Sequence, residues 1–119
     1  MTVTRKGNAM THSLLSASSI NGDSVHNAQG EDLGKIEDLM VDTGSGQIEY
    51  AVLSFGGFLG MGDKYFAVPF NRLSVDRENK HMVLNVEKDR LKNAPGFDKD
   101  KWPDFADPQF RTSMTTHYG

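Results

Sequence analysis

The sequence predicts an all-β domain: a small closed or partly open barrel of about six short strands, with a short C-terminal helix and an irregular aromatic C-terminal extension. Three observations predict it. Apolar residues alternate with polar ones in several short runs. Turn-forming Gly, Asn and Asp separate those runs at short intervals. The alternation then stops at Val86, and a stretch rich in aromatic residues and proline takes over.

Residues 1–13 are polar and lack a period, which predicts a disordered N-terminal tail. Residues 16–20, closed by Asn21-Gly22, read as one helical turn. Residues 25–28 are a short strand, turned by Gln29-Gly30. Residues 32–42, DLGKIEDLMVD, are a longer strand whose alternation slips. Ile36 faces one side, while Leu39 and Val41 carry the opposite parity, so a bulge near Glu37-Asp38 is expected. Thr43-Gly44-Ser45-Gly46 is a tight turn, and residues 47–55 return as the second arm of a hairpin.

Residues 64–70 alternate, with Phe66, Val68 and Phe70 on one face. Pro69 cannot donate to a ladder and belongs at a strand end or edge. Residues 73–76 form another strand, 77–80 a polar turn, and 81–86 a last strand with Met82, Leu84 and Val86 inward. Residues 87–93 carry acids early and bases late, as a short helix prefers, and Pro95-Gly96 ends it. The rest, residues 95–119, shows neither helical nor strand period. Yet it holds Phe97, Trp102, Phe105, Phe110 and Tyr118. Disordered tails are poor in aromatics, so this extension is expected to pack on the barrel or on a partner subunit along an irregular, extended path.

The chain has 119 residues and a formal charge of -3, with 37% hydrophobic residues and no cysteine. That length accommodates one domain with a modest core. The charge argues against nucleic acid, which needs a basic face. No cysteine means no disulfide and no thiolate site. The N-terminus lacks the roughly 7–15 consecutive apolar residues of a signal peptide, and no run approaches the roughly 20 residues of a membrane span. A cytoplasmic protein without cofactor is the resulting expectation.

The segment LSFGGFLGMGDKYFAVPF (53–70) could pass for a phosphate loop. Gly57 and Gly62 have the right separation, but Asp63 stands where the lysine must be, and its carboxylate repels phosphate. The dinucleotide pattern starts at Gly60 and Gly62 and ends on Tyr65. The segment also leads into a β-patterned run, with no helix N-terminus to aim amides at an anion. A wide hairpin loop is the reading. Its tip carries Phe58, Leu59 and Met61, which either cover a barrel end or meet a partner.

Other chemistry is thinly supported. His12, His26, His81 and His117 lie far apart, with no metal-ligand spacing, and His81 at a strand start suggests cross-strand packing. Asp98, Asp100, Asp104 and Asp107 would begin a calcium loop, but Pro103 and Gln109 fill its glycine and glutamate positions. G-x-S-x-G is absent, and Glu37 and Asp38 are strand neighbours pointing to opposite faces. No enzyme activity is expected.

The run GEDLGKIEDLMVDTGSGQIEYAVLSFGGFLGMGDKYFAVPFNRL, residues 30–73, resembles the PRC-barrel family. That family includes the cytoplasmic domain of the photosynthetic reaction-centre H subunit and the C-terminal domain of a ribosome maturation factor. The features that match are G-x-x-L-G-x-I-E-D-L-M-V-D at 30–42, the return at 48–55 and V-P-F at 68–70. Residues 91–110 resemble the extension of small stand-alone bacterial members. The resemblance implies a PRC-barrel-like domain over residues 14–94 that serves as a binding or assembly module. The expected function is therefore protein–protein interaction or assembly, as a homodimer or with another protein. Phe58, Leu59, Met61, Trp102, Phe105 and Phe110 are the expected partner contacts. The alternatives are a small-ligand or metal-binding regulatory barrel with the extension as its lid, and a ribosome or RNA-maturation accessory by analogy.

Overall fold

A computed structural model describes residues 14–56, 63–76, 81–94, 96–98 and 100–118. The elements, in order, are α1 (Ala17–Ile20), β1 (Ser24–His26), β2 (Asp32–Asp42), β3 (Gln47–Gly56), β4 (Asp63–Pro69), a 3-10 turn (Phe70–Arg72), β5 (Leu73–Asp76), β6 (His81–Leu84), α2 (Lys88–Lys92), β7 (Gly96–Phe97) and α3 (Pro108–Tyr118). The fold is mostly β, as expected, with the short helix in its expected place.

The strands form one seven-stranded sheet in the order β5-β6-β1-β2-β3-β4-β7. It curls without closing, because its end strands β5 and β7 are not paired with each other. Every junction is antiparallel except β1 against β6, where Val25 lies opposite Met82. The seventh strand, only two residues long, is not legible in the sequence because no period can show in so short a run.

The β2–β3 hairpin organises the sheet. Its turn is set by Asp42, whose Oδ1 accepts the Gly44 amide at 2.9 Å and whose carbonyl accepts the Gly46 amide at 2.7 Å. The Gly44 hydrogen bond leads the interactions that hold the Asp42 carboxyl below its ordinary range. Gly46 has φ +80°, the left-handed conformation this tight link requires. The register slips by one residue between Ile36 and Asp38, so the expected bulge is present at Glu37.

A second slip was not expected. Ser24 lies opposite Lys35 and His26 opposite Asp32, so β2 carries one extra residue against β1. That bulge contains Gly34 at φ +100°. It allows Leu33 and Ile36, three positions apart, both to be fully buried, which regular alternation forbids. Val41, expected inward, is 55% exposed, because the register slips again between Met40 and Val41.

The core gathers Ile20, Val25, Leu33, Ile36, Leu53, Phe66, Val68, Met82, Leu84 and Leu91. Met82 and Leu84 point inward as expected, and Val86 packs against the core just beyond β6. A polar knot secures the β1–β2 turn. Asn27 is buried; its Nδ2 donates to Glu31 Oε1 at 2.7 Å and to the Val86 carbonyl at 3.3 Å. Its Oδ1 accepts the amides of Gln29 and Glu31. Such a satisfied buried amide also tethers β6's exit to β1.

A Cβ at position 34 would lie 2.1 Å from the Ser54 carbonyl oxygen, against backbone that cannot swing aside. Gly34→Ala should therefore cost about 2–5 kcal/mol, from left-handed strain plus overpacking. Gly46 meets nothing within 4 Å. Gly46→Asn should cost under about 1 kcal/mol, since asparagine tolerates that conformation. Urea unfolding of both variants checks the contrast.

Candidate interaction surface

Residues 50–55 of β3 are buried without a break, as are Phe66, Ala67 and Val68 of β4. A strand buried at every position is covered on both faces. Cross-strand partners share a face. Ala51 with Val68 and Leu53 with Phe66 face the core; Tyr50 with Pro69, Val52 with Ala67 and Ser54 with Tyr65 face the other way. The C-terminal extension is the segment that meets this second face.

The extension runs from β7 through two turns into α3. Gly96 and Phe97 pair with Phe66 and Tyr65. The Lys101 amide then reaches the Asp98 carbonyl at 2.9 Å, and the Asp107 amide reaches the Asp104 carbonyl at 3.0 Å. Asp107 caps α3: its Oδ1 accepts the Gln109 amide at 2.9 Å, and Pro108 takes the first helical position. Asp104 Oδ1 accepts the Ala106 amide. Two of the four aspartates in the calcium-like run thus serve turns. Among the described residues no cluster of three or more metal-ligating groups exists.

α3 corrects the expectation of an irregular extended path. Phe110, Met114 and Tyr118 recur every four residues and form its inner stripe; Met114 and Tyr118 are buried. Asp107-Pro108 before that spacing was the available signal. It was obscured by the Thr, Ser and His residues that otherwise fill the helix. Polar ties fasten both ends. Arg111 Nη2 lies 2.9 Å from Glu49 Oε1, and its guanidinium sits over the Tyr50 ring. Arg90 Nη2 donates to the His117 carbonyl at 2.5 Å, and His117 Nε2 lies 3.1 Å from the Arg90 carbonyl.

A row of six rings links the extension to the sheet. Tyr50 meets Phe110 and Phe105 at centroid distances of 5.6 and 5.7 Å. Phe105 meets Phe97 at 6.1 Å and Trp102 at 6.2 Å, and Trp102 meets Phe97 at 5.3 Å and Tyr65 at 5.8 Å. Most cross edge to face or tilted, the favourable geometry for ring quadrupoles.

The expected partner contacts separate accordingly. Phe105 and Phe110 are half-buried against the chain's own core cluster. Trp102 remains 40% exposed, at the outer end of the row. Phe58, Leu59 and Met61 lie outside the described residues. The strands flanking them pair directly, Gly56 opposite Asp63. The 57–62 link therefore joins two antiparallel strands and leads into β4 rather than into a phosphate-binding helix.

Two further features bear on chemistry. His81 packs cross-strand as expected: its Nε2 lies 3.6 Å from Asp76 on β5, and its ring meets His26 on β1 edge-on at 4.3 Å. A polar cleft of about 470 Å³ opens beside α3, lined among others by Gln47, Glu49, Asn71, Arg72, Arg111 and Thr115.

The Tyr118 hydroxyl is buried and has no hydrogen-bond partner among the described residues, and burial raises its pKa above the ordinary 10.0. The folded chain keeps that proton after the unfolded chain has lost it, so stability falls as pH rises beyond about 10. Tyr118→Phe should remove this alkaline loss and leave stability at neutral pH unchanged or higher by up to about 1 kcal/mol. Denaturation of both proteins between neutral and strongly alkaline pH measures the difference; parallel curves would refute it.

Three comparisons place the chain among known proteins. The family model for the PRC-barrel domain matches residues 12–91. The match ends within α2, so β7, Trp102 and α3 lie beyond it. No curated protein matches the chain. Among solved structures, the chain is similar to one described as a 16S ribosomal RNA processing protein, RimM, from Pseudomonas aeruginosa, with 20% identity and a TM-score of 0.42. That alignment covers 63% of this chain and 45% of the other, so the chain spans less than half the length of that structure. With more than half of its residues matched by the family model, the chain belongs to the PRC-barrel domain family.

Proposed function

We propose that this protein is a non-catalytic module for protein–protein interaction and assembly, acting in the cytoplasm without a cofactor. The observation that carries the reading is Trp102. Its ring is held on one side by Phe97, Tyr65 and Phe105, and 40% of the residue faces solvent. A large ring already immobilised by neighbours loses little further freedom on binding, which is why tryptophan dominates interface energetics. The 57–62 link enters β4 two residues before Tyr65, so Phe58, Leu59 and Met61 lie close in sequence to the same surface. Exposed Asp98, Asp100 and Lys101 border Trp102 in sequence as a polar rim.

Among the described residues no helix is long and apolar enough to cross a membrane. The net charge of -3 supports a protein partner over nucleic acid.

Photo-crosslinking tests this reading in the native cell. A benzophenone side chain at position 102 should give discrete protein adducts. The same probe at exposed Gln29 should give only background. Trp102→Ser should abolish any complex captured by the wild type while shifting its melting temperature little, whereas Phe105→Ala should destabilise the fold by about 2–3 kcal/mol. Equal labelling from positions 102 and 29 would refute the surface.

A further inference from the structure

We infer that the Trp102 surface receives an arginine from a basic segment of the partner protein, set against the exposed indole and among the carboxylates of Asp98, Asp100 and Asp104. This names the chemistry of the partner proposed above and rests on that reading.

The fold already contains this arrangement once. At one end of the ring row the Arg111 guanidinium lies 5.8 Å from the Tyr50 centroid, and its Nη2 lies 2.9 Å from Glu49 Oε1. Ring, cation and carboxylate satisfy one another there. A guanidinium is planar, so it stacks on a ring and forks onto a carboxylate; an ammonium is a point charge and does neither as well. At the other end of the row stands Trp102, the one aromatic among the large hydrophobic residues that the described surface leaves exposed. Indole is the side-chain ring that attracts a cation most strongly.

Carboxylates border that ring. Trp102 and Pro103 lie between two tight turns. The first is closed by the Lys101 amide on the Asp98 carbonyl and carries Asp100; the second is closed by the Asp107 amide on the Asp104 carbonyl. Ring contacts fold both turns onto Trp102. Phe97, just before the first turn, meets it at 5.3 Å, and Phe105, within the second, at 6.2 Å. Asp98, Asp100 and Asp104 are all exposed. Among the described residues none of the three forms an ion pair, and neither does Lys101. Asp104 Oδ1 accepts the Ala106 amide, a bond that leaves the carboxylate its charge. Residues 98–107 hold four aspartates against two lysines, so the local field is negative. Such a field attracts a basic segment and repels an acidic or phosphate-bearing one. Tryptophan and arginine are also the residues that most often carry binding energy at protein interfaces.

Trp102 is the chain's single tryptophan, so its fluorescence reports directly on this surface. Titrating the full-length chain with deca-arginine should change that emission saturably, with an affinity that falls as salt is added. Deca-lysine should bind about threefold or more weakly, and deca-glutamate should leave the emission unchanged. Asp98→Asn, Asp100→Asn and Asp104→Asn together should weaken deca-arginine about fivefold or more. Asparagine keeps the acceptor that the Ala106 amide needs, so the circular dichroism spectrum should not change. A control of equal net charge, Glu31→Gln with Asp32→Asn and Asp38→Asn, should stay within about twofold of the wild type. Those three residues are exposed on β2 and the turn before it. Equal losses in both variants would reduce the binding to net charge and overturn the arginine site. So would deca-lysine binding as tightly as deca-arginine, or no response to deca-arginine. In each of those cases the crosslinking from positions 102 and 29 still decides the surface itself. Discrete adducts from 102 would keep it as a docking surface for a partner of other chemistry, and equal labelling would remove it.

Discussion

The double-sided burial of the β3–β4 ladder is the constraint on which the rest of the molecule depends. A chain this short has one sheet and little else. If one face of that sheet forms the core, the other is left to water unless something covers it. Here Tyr50, Val52, Tyr65 and Ala67 line the second face, and Val52 and Ala67 are buried there. Covering them removes apolar area from water at about 25 cal/mol per Å². The C-terminal extension supplies that cover with aromatic rings, each a large apolar body. Its position on the chain's own sheet arises from this need rather than from any regular period of its own.

The sheet's curvature has a different origin. β2 carries extra residues at two points, once against β1 and once against β3, and β3 carries one near Glu49. Each bulge adds local twist. Together they turn a long hairpin into a strongly coiled sheet that can bury Leu33 and Ile36 on the same side. Gly34 is indispensable in this arrangement because the Ser54 carbonyl occupies the space a side chain would need. The same coiling brings β1 beside β6 in parallel, a junction that the chain reaches only by passing round the whole sheet.

The family match and the extension divide the chain in two. The matched region supplies the curved sheet. Beyond residue 91 the chain adds β7, the row of rings and α3. That addition leaves the Trp102 ring 40% exposed at the outer end of the row. The fold by itself does not fix a function, since one fold hosts many.

Most of the strands were legible in the residues themselves. The hairpin at 32–42 and 47–56, the turn at 43–46, the bulge at Glu37, Pro69 at a strand end and the short helix near 88–92 all come from period, turn chemistry and end charges, which are local properties. What the residues could not reveal depends on contacts far apart in sequence. Gly34 looks like any strand glycine until Ser54 is brought against it. Phe105 and Phe110 carry no sign in the sequence of the ring they meet; only the fold sets both against Tyr50. α3 has a weak stripe of its own and takes its inner face from the sheet it packs on. Local chemistry settled where the chain bends and pairs; only the tertiary structure decided which apolar side chains the chain buries and which, Trp102 and Val41 among them, it leaves in water.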